Sequence, residues 1–202
     1  MTKAEFAARL NHACAAVTAA EAELTEIDSR FGDADHGLTM TKIAKAISAA
    51  AEAADGGIQS MLDDAAMAVM SLNGGSAVPL WNTWLDGMQE DAPEGEEIDI
   101  EGIKAIFARA FEEIDDMSGA KVGDKTMMDA LIPASEAIAA YVGGDEDGLF
   151  SAAARAALEG AEASKQFVSK FGRAKSYGTK TIGTPDAGAT SMSYFFQGLA
   201  RA

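Results

Sequence analysis

The sequence predicts an all-α fold in one domain spanning residues 1–202. Three observations predict it. Apolar residues recur at alternating three- and four-residue steps over most of the chain, the spacing of helices buried along one side. Alanine is abundant and β-branched runs are scarce, so strand signals are nearly absent. No linker is long or flexible enough to separate a second domain from the first, and no solenoid-type repeat is present. With 202 residues, 48% of them hydrophobic, the chain has ample material for a core and little reason to be disordered.

The elements follow in order. Phe6, Leu10, Ala13, Val17, Ala20, Leu24 and Ile27 form one stripe and predict one long first helix. The single cysteine, Cys14, lies within it between alanines; it excludes an internal disulfide framework and reads as a buried, inert thiol. Segments of the same period at 43–54, 61–70, 80–88, 103–114, 127–138, 149–161 and 192–199 bring the expected total to eight helices. Trp81 and Trp84, three residues apart, point to core or partner contact, and the ten methionines to adaptable core filling. Pro133 falls inside a helical pattern and is expected to kink or interrupt it. The stretches 91–99 and 143–148 are acidic with little apolar content and read as solvated turns.

Charge narrows the function classes. The chain carries 32 acidic and 16 basic residues, net −16, and is repelled by nucleic-acid phosphates and anionic lipid. Neither nucleic acid nor membrane is an expected partner. No stretch approaches the ~20 apolar residues that span a bilayer. The charged opening MTKAEFAARL does not fit a signal sequence, so the expected location is cytoplasmic.

Four connections differ from the solvated turns: DSRFGDADHG, NGGS, SGAKVGDKT and GRAKSYGTKTIGTPDAGATS combine glycine with Asp, Ser, Thr or Lys, and each leads into a helix. In the first, Asp28, Asp33 and Asp35 fall within eight residues, at a helix C-terminus where negative charge is already disfavoured. A hard divalent cation would neutralise them, and Gly32 and Gly37 allow the tight turns that aim the side chains. A solvated acidic turn with aspartate caps explains the same residues, and spacing alone does not separate the two. An EF-hand is excluded, because the twelfth position counted from Asp28 is Thr39 rather than glutamate. His36 beside Asp35 reads as a capping or hydrogen-bonding residue, and His12 carries no assigned role.

In NGGSAVP, Ser76 can cap and Pro79 suits a first helical turn, while Asp186, Gly188 and Thr190 precede the last helix. Glycine before a helix start exposes unpaired N–H donors and a positive dipole end to phosphate. Neither Walker A spacing nor a G-x-G-x-x-G after a strand occurs. Glycine-led helix starts together with the aspartate cluster favour a nucleotide–metal site.

These residues carry a resemblance. IDSRFGDADHGLTM is similar to the metal-binding signature of the dihydroxyacetone kinase L subunit family, and GAKVGDKTMMDALIPA and GRAKSYGTKTIGTPDAGATS resemble its second and third signatures. The matches run in the family's order from Leu24 to Ser191. The resemblance implies a closed barrel of about eight antiparallel helices that binds ADP or ATP with two Mg²⁺. It places the metals on Asp28, Asp33 and Asp35, and the nucleotide against His36, Gly37, Leu38 and Thr39. It also implies a phosphate turn at Gly75, Ser76 and Ala77, a base pocket at Gly119 and Met128, and closure by Arg173, Asp186 and Gly188. No catalytic residue is expected in this chain: a separate K subunit holds a small ketose, and this one presents the phosphoryl donor. That donor is exchangeable ATP, or bound ADP recharged by a phosphotransferase-system protein. The chain departs from the family pattern at Ala34, Ala77, Val78 and Asn82, each replacing a residue that is usually glycine or hydroxyl-bearing, and at Lys175, Ser176, Tyr177, Thr179, Lys180, Thr184, Pro185 and Ala187. A four-carbon ketose stands beside dihydroxyacetone as a substrate class.

Overall fold

The computed structural model describes residues 1–201. Nine α-helices and two 3-10 segments make up its regular structure: α1 (Lys3–Ala19), α2 (Glu21–Ser29), α3 (His36–Ala53), α4 (Ile58–Met70), α5 (Ala77–Glu90), α6 (Ile100–Ser118), α7 (Met128–Ala140), α8 (Glu146–Ala163) and α9 (Ala187–Leu199), with the 3-10 segments at Ser164–Gln166 and Arg173–Thr181. The all-α expectation holds among the described residues. One helix more than expected arises because the first stripe is broken at Ala20, which adopts φ −90° and ψ 5° and serves as the end of α1 and the start of α2. The apolar stripe continues through the break, with Leu10, Val17 and Leu24 all buried, and so periodicity cannot reveal it.

α1 begins where Thr2 accepts from the Glu5 N–H and Glu5 reaches back to the Thr2 N–H, a reciprocal cap that satisfies donors the first turn would leave unpaired. Packing neighbours then follow a cycle. α1 lies on α3, α3 on α4, α4 on α5, and so on through α8 on α9, which returns to α1; α2 bridges α3 and α9. Buried Arg9 reinforces the return by donating to the Leu199 carbonyl at 2.9 Å, with its guanidinium over the Phe150 ring.

Inside the cycle sits an aromatic cluster. Trp81, Trp84, Phe107, Phe150, Phe195 and Phe196 are at most 2% exposed and meet mostly edge to face, with ring centroids from 5.1 to 6.4 Å apart. Such pairs add about 0.5–1.5 kcal/mol each beyond the burial of area. The two tryptophans are therefore core. Cys14 is 3% exposed and burial pushes its thiol up to about 12, so it stays protonated and inert.

Pro133 does not interrupt α7, which runs unbroken from Met128 to Ala140. A proline frees the carbonyl four residues earlier, here that of Asp129. Gly160 of α8 packs against that carbonyl so closely that a Cβ would lie 2.0 Å from the oxygen. No helix among the described residues is long and apolar enough to cross a membrane.

Candidate functional site

α2 ends one residue after Asp28, and α3 starts one residue after Asp35. Between them the chain folds back on Asp28, whose Oδ2 accepts the N–H of Asp35 at 3.1 Å and that of His36 at 3.4 Å. A Cβ on Gly32 would sit 1.9 Å from Asp28 Oδ1, so only glycine fits there. Ala34 takes φ +62°, a left-handed conformation costly for a residue with a Cβ, and thereby reverses the chain between Asp33 and Asp35. Replacement of the usual glycine by Ala34 is therefore a local strain rather than a neutral change.

One carboxylate oxygen from each of Asp28, Asp33 and Asp35 then lies within 4.8 Å of the others. Such crowding is unfavourable for like charges. Burial, followed by the charges of Asp33 and Asp28, pushes the Asp35 carboxyl above its ordinary range. Arg173 supplies one compensating charge, its Nη2 lying 2.7 Å from Asp33 Oδ2. An all-oxygen set converging on one point fits a hard divalent cation of the Mg²⁺ or Ca²⁺ type.

These residues lie at the edge of a cavity of about 640 Å³. Of the residues singled out by sequence, Asp28, Asp33, Asp35, His36, Thr39, Gly75, Ser76, Ala77, Arg173, Asp186 and Gly188 all line it. The starts of α3, α5 and α9 meet there, although in α3 the His36 N–H is already given to Asp28 and in α5 Pro79 carries none. Their caps differ. Asp186 accepts the Ala189 N–H at 2.8 Å, whereas Ser76, which lines the cavity, makes no capping bond, contrary to the sequence reading. Burial raises the Asp186 carboxyl to about 6. His36 sits with Nε2 3.1 Å from Ser191 Oγ, and burial lowers its pKa, so the imidazole is neutral at neutral pH.

Four of the residues singled out lie elsewhere. Gly37 is buried where α3 meets α2, and a Cβ there would be 2.1 Å from the Glu21 carbonyl; its smallness is a packing requirement. Leu38 is half exposed on the outer side of α3 and does not line the cavity. Gly119 ends α6 with φ +61°, while its neighbours Ser118 and Ala120 line the cavity in its place. Met128 is fully buried in the core, and the lining side chain is that of Met127. In each pair the helical turn or left-handed cap sends adjacent residues to opposite sides.

The site also contains residues to which sequence reasoning gave no role. Lys125 is 4% exposed, adopts φ +62°, and donates from Nζ to the carbonyls of Ser164 at 2.7 Å and Thr184 at 2.6 Å. Burial lowers its pKa, opposed by the nearby carboxylates of Asp186 and Asp129. Asp129 shapes the turn before α7 by accepting the N–H groups of Gly123 at 2.6 Å and Thr126 at 2.7 Å. Lysine following Gly-Asp in GAKVGDKT was visible in the sequence, but its carbonyl partners are 39 and 59 residues away. Phe31, Leu80, Met117 and Phe171, to none of which the sequence gave a role, lend the cavity an apolar portion.

Of the altered turn residues, Val78 packs buried against Gly74, where a Cβ would lie 2.6 Å from the valine Cγ2. Asn82 donates to the Ala66 carbonyl at 3.0 Å and ties α5 to α4. Both act in packing, away from the cavity lining.

Comparison with known proteins agrees with this architecture. Over 183 residues the chain is 36% identical to the D-erythrulose kinase of Mycolicibacterium smegmatis, covering 88% of this chain and 32% of that one. It is 34% identical to the L-erythrulose kinase of Pectobacterium atrosepticum, covering 96% of this chain and 34% of the relative. The chain thus spans about a third of these two kinases. Against the ADP-binding subunit of the Escherichia coli PEP-dependent dihydroxyacetone kinase, identity is 30%, covering 94% of this chain and 92% of the subunit. The crystal structure of the C. freundii dihydroxyacetone kinase with AMP-PNP and Mg²⁺ shares the fold, with a TM-score of 0.73 at 24% identity over 98% of this chain and 33% of that one. The DAK2 domain family matches residues 30–201, from the aspartate turn through the last helix, and the chain belongs to that family.

Proposed function

We propose that this chain presents the phosphoryl donor in a kinase acting on a small ketose held by a separate K-type subunit. The observation that carries the reading is the meeting of three carboxylates, within 4.8 Å of one another, with three helix starts at one cavity. Asp28, Asp33 and Asp35 would hold Mg²⁺, two ions by resemblance, which when bound neutralises phosphate charge. The helix starts of α5 and α9, together with Ser76, would supply donors to phosphate oxygens. The apolar part of the cavity, with Leu80, Met117 and Phe171, suits a purine base. Neutral His36, fixed by Ser191, can hydrogen-bond without adding a charge.

Phosphoryl transfer is served mainly by positioning and charge neutralisation, so this reading requires no nucleophile from the chain. The donor is ATP, or ADP that stays bound and is recharged by a phosphotransferase-system protein, as the names of the dihydroxyacetone kinase relatives suggest. The erythrulose kinases among the relatives favour a four-carbon ketose as the substrate over dihydroxyacetone.

Reconstitution tests this directly. The chain, a K-type subunit, Mg-ATP and either erythrulose or dihydroxyacetone should yield the phosphorylated ketose, and Asp33→Asn should lower the rate about 100-fold or more. Full activity in that variant would refute the metal assignment. Mg-ADP binding without turnover beside any K-type subunit would instead identify a regulatory nucleotide-binding module.

A further inference from the structure

Between Ser164 and Pro185 the chain makes an excursion from the end of α8 to the start of α9, and its composition is unlike the rest of the molecule. It holds five of the 16 basic residues, namely Lys165, Lys170, Arg173, Lys175 and Lys180, while all 32 acidic residues lie outside it. It also exposes three large apolar side chains, Phe171, Tyr177 and Ile182, each between 43% and 48% accessible.

The excursion has two faces. Phe171, Gly172, Arg173 and Ala174 line the cavity. Lys175, Tyr177, Lys180 and Ile182 are exposed and do not line it. Among the described residues Lys165, Lys170 and Arg173 have carboxylate partners, whereas Lys175 and Lys180 have none. Neither of the two unpaired lysines lines the cavity.

The segment is also held in place. Lys125 grips both ends through the Ser164 and Thr184 carbonyls. Lys170 reaches Asp124 at 2.6 Å, and Tyr177 packs on Phe31 with ring centroids 5.2 Å apart. An exposed surface that is both fixed in shape and rich in aromatic and cationic groups has the character of an interface, with little ordering cost on binding.

The same unit makes up about a third of the erythrulose kinases but 92% of the E. coli subunit, so the remaining two thirds are either attached to it or supplied by another chain. We propose that the outer face of 165–182 is the docking surface for the ketose-holding subunit, which meets Lys175 and Lys180 with carboxylates and Tyr177 and Ile182 with an apolar patch. This rests on the kinase reading above. On a chain of net −16, this is where an acidic partner can approach without repulsion, and it borders the cavity from which phosphate must be passed.

The test is the charge-reversed pair Lys175→Glu with Lys180→Glu in the full chain. Its Mg-ADP affinity by calorimetry should equal that of the wild type. Its affinity for a purified K-type ketose-binding subunit should fall about tenfold or more, with the KM for that subunit raised, kcat at saturation kept, and the wild type's salt dependence flattened. The Lys175→Arg, Lys180→Arg pair should behave as wild type. Unchanged affinity for the K-type subunit overturns the proposal, as does a loss of Mg-ADP binding, which would assign the cations to the nucleotide. A wild-type dimer abolished by charge reversal would also overturn it, making a second copy the occupant. Failure of wild type itself to bind or turn over with the K-type subunit would instead refute the kinase reading.

Discussion

The two sides of the cavity are built by different means. On one side, Asp28, Asp33 and Asp35 come from a single eight-residue run, and their approach is fixed by hydrogen bonds within it. On the other, Lys125 comes from one connection and Arg173 and Asp186 from another, and the two are held together by long-range contacts, above all the Lys125 grip on Ser164 and Thr184. The first side concentrates negative charge that an external cation would offset. The second contains its own counter-charges, a buried lysine near Asp186 and an exposed arginine on Asp33. Local sequence thus specified the acidic half, and the folded chain supplied the half that faces it.

Changes on the two sides should fail in different ways. The largest effect is the loss of phosphoryl transfer in Asp33→Asn, with the fold kept. On the opposite side, Lys125→Met should leave two buried carbonyls without their donor and cost about 2–4 kcal/mol of stability. Trypsin provides the discriminating readout: cleavage at Lys170, Arg173, Lys175 and Lys180 should become rapid well below the melting temperature, while sites in α3 and α8 stay protected. Equal acceleration at every site would mean that Lys125 supports the whole fold and not the 164–184 excursion.

Next in size is a pH effect at Asp186. Its carboxyl titrates at about 6 in the folded chain against 3.8 as its ordinary value, so folding favours the protonated form. Stability from this group is therefore full below about 4 and is lost as pH rises through about 6, by up to about 3 kcal/mol. His36 acts in the opposite sense: burial lowers its pKa, so its contribution is present above its ordinary 6.5 and is lost as pH falls. Asp186→Asn keeps an oxygen for the Ala189 cap and removes the titration. Urea unfolding without Mg²⁺ should show this variant gaining stability relative to wild type between pH 4 and 7; parallel curves would place the burial elsewhere.

The smallest effect is on the acidic side. Ala34→Gly relieves a left-handed φ of +62°, partly offset by the greater backbone freedom of glycine in the unfolded chain. A net gain of about 0.5 kcal/mol is expected, seen as a rise of roughly 1–2 °C in Tm. A fall in Tm would show that the alanine methyl makes a compensating contact.

Helical periodicity determined the all-α class and most helix positions, because an apolar stripe at 3.6-residue spacing is a property of the sequence itself. The same holds for the aspartate turn, whose glycine and carboxylates lie close enough along the chain to meet without help from distant elements. Three things only the tertiary structure decided. The break at Ala20 preserves the stripe and leaves no periodic mark. Whether Met127 or Met128, or Gly119 or its neighbours, reaches the cavity depends on a rotation of about 100° per residue, set by what each helix packs against. The role of Lys125 stays open in the sequence until folding brings two carbonyls, 39 and 59 residues downstream, to its ammonium group. A charge acquires a buried role only from its surroundings, and those are assembled by packing rather than by neighbouring residues.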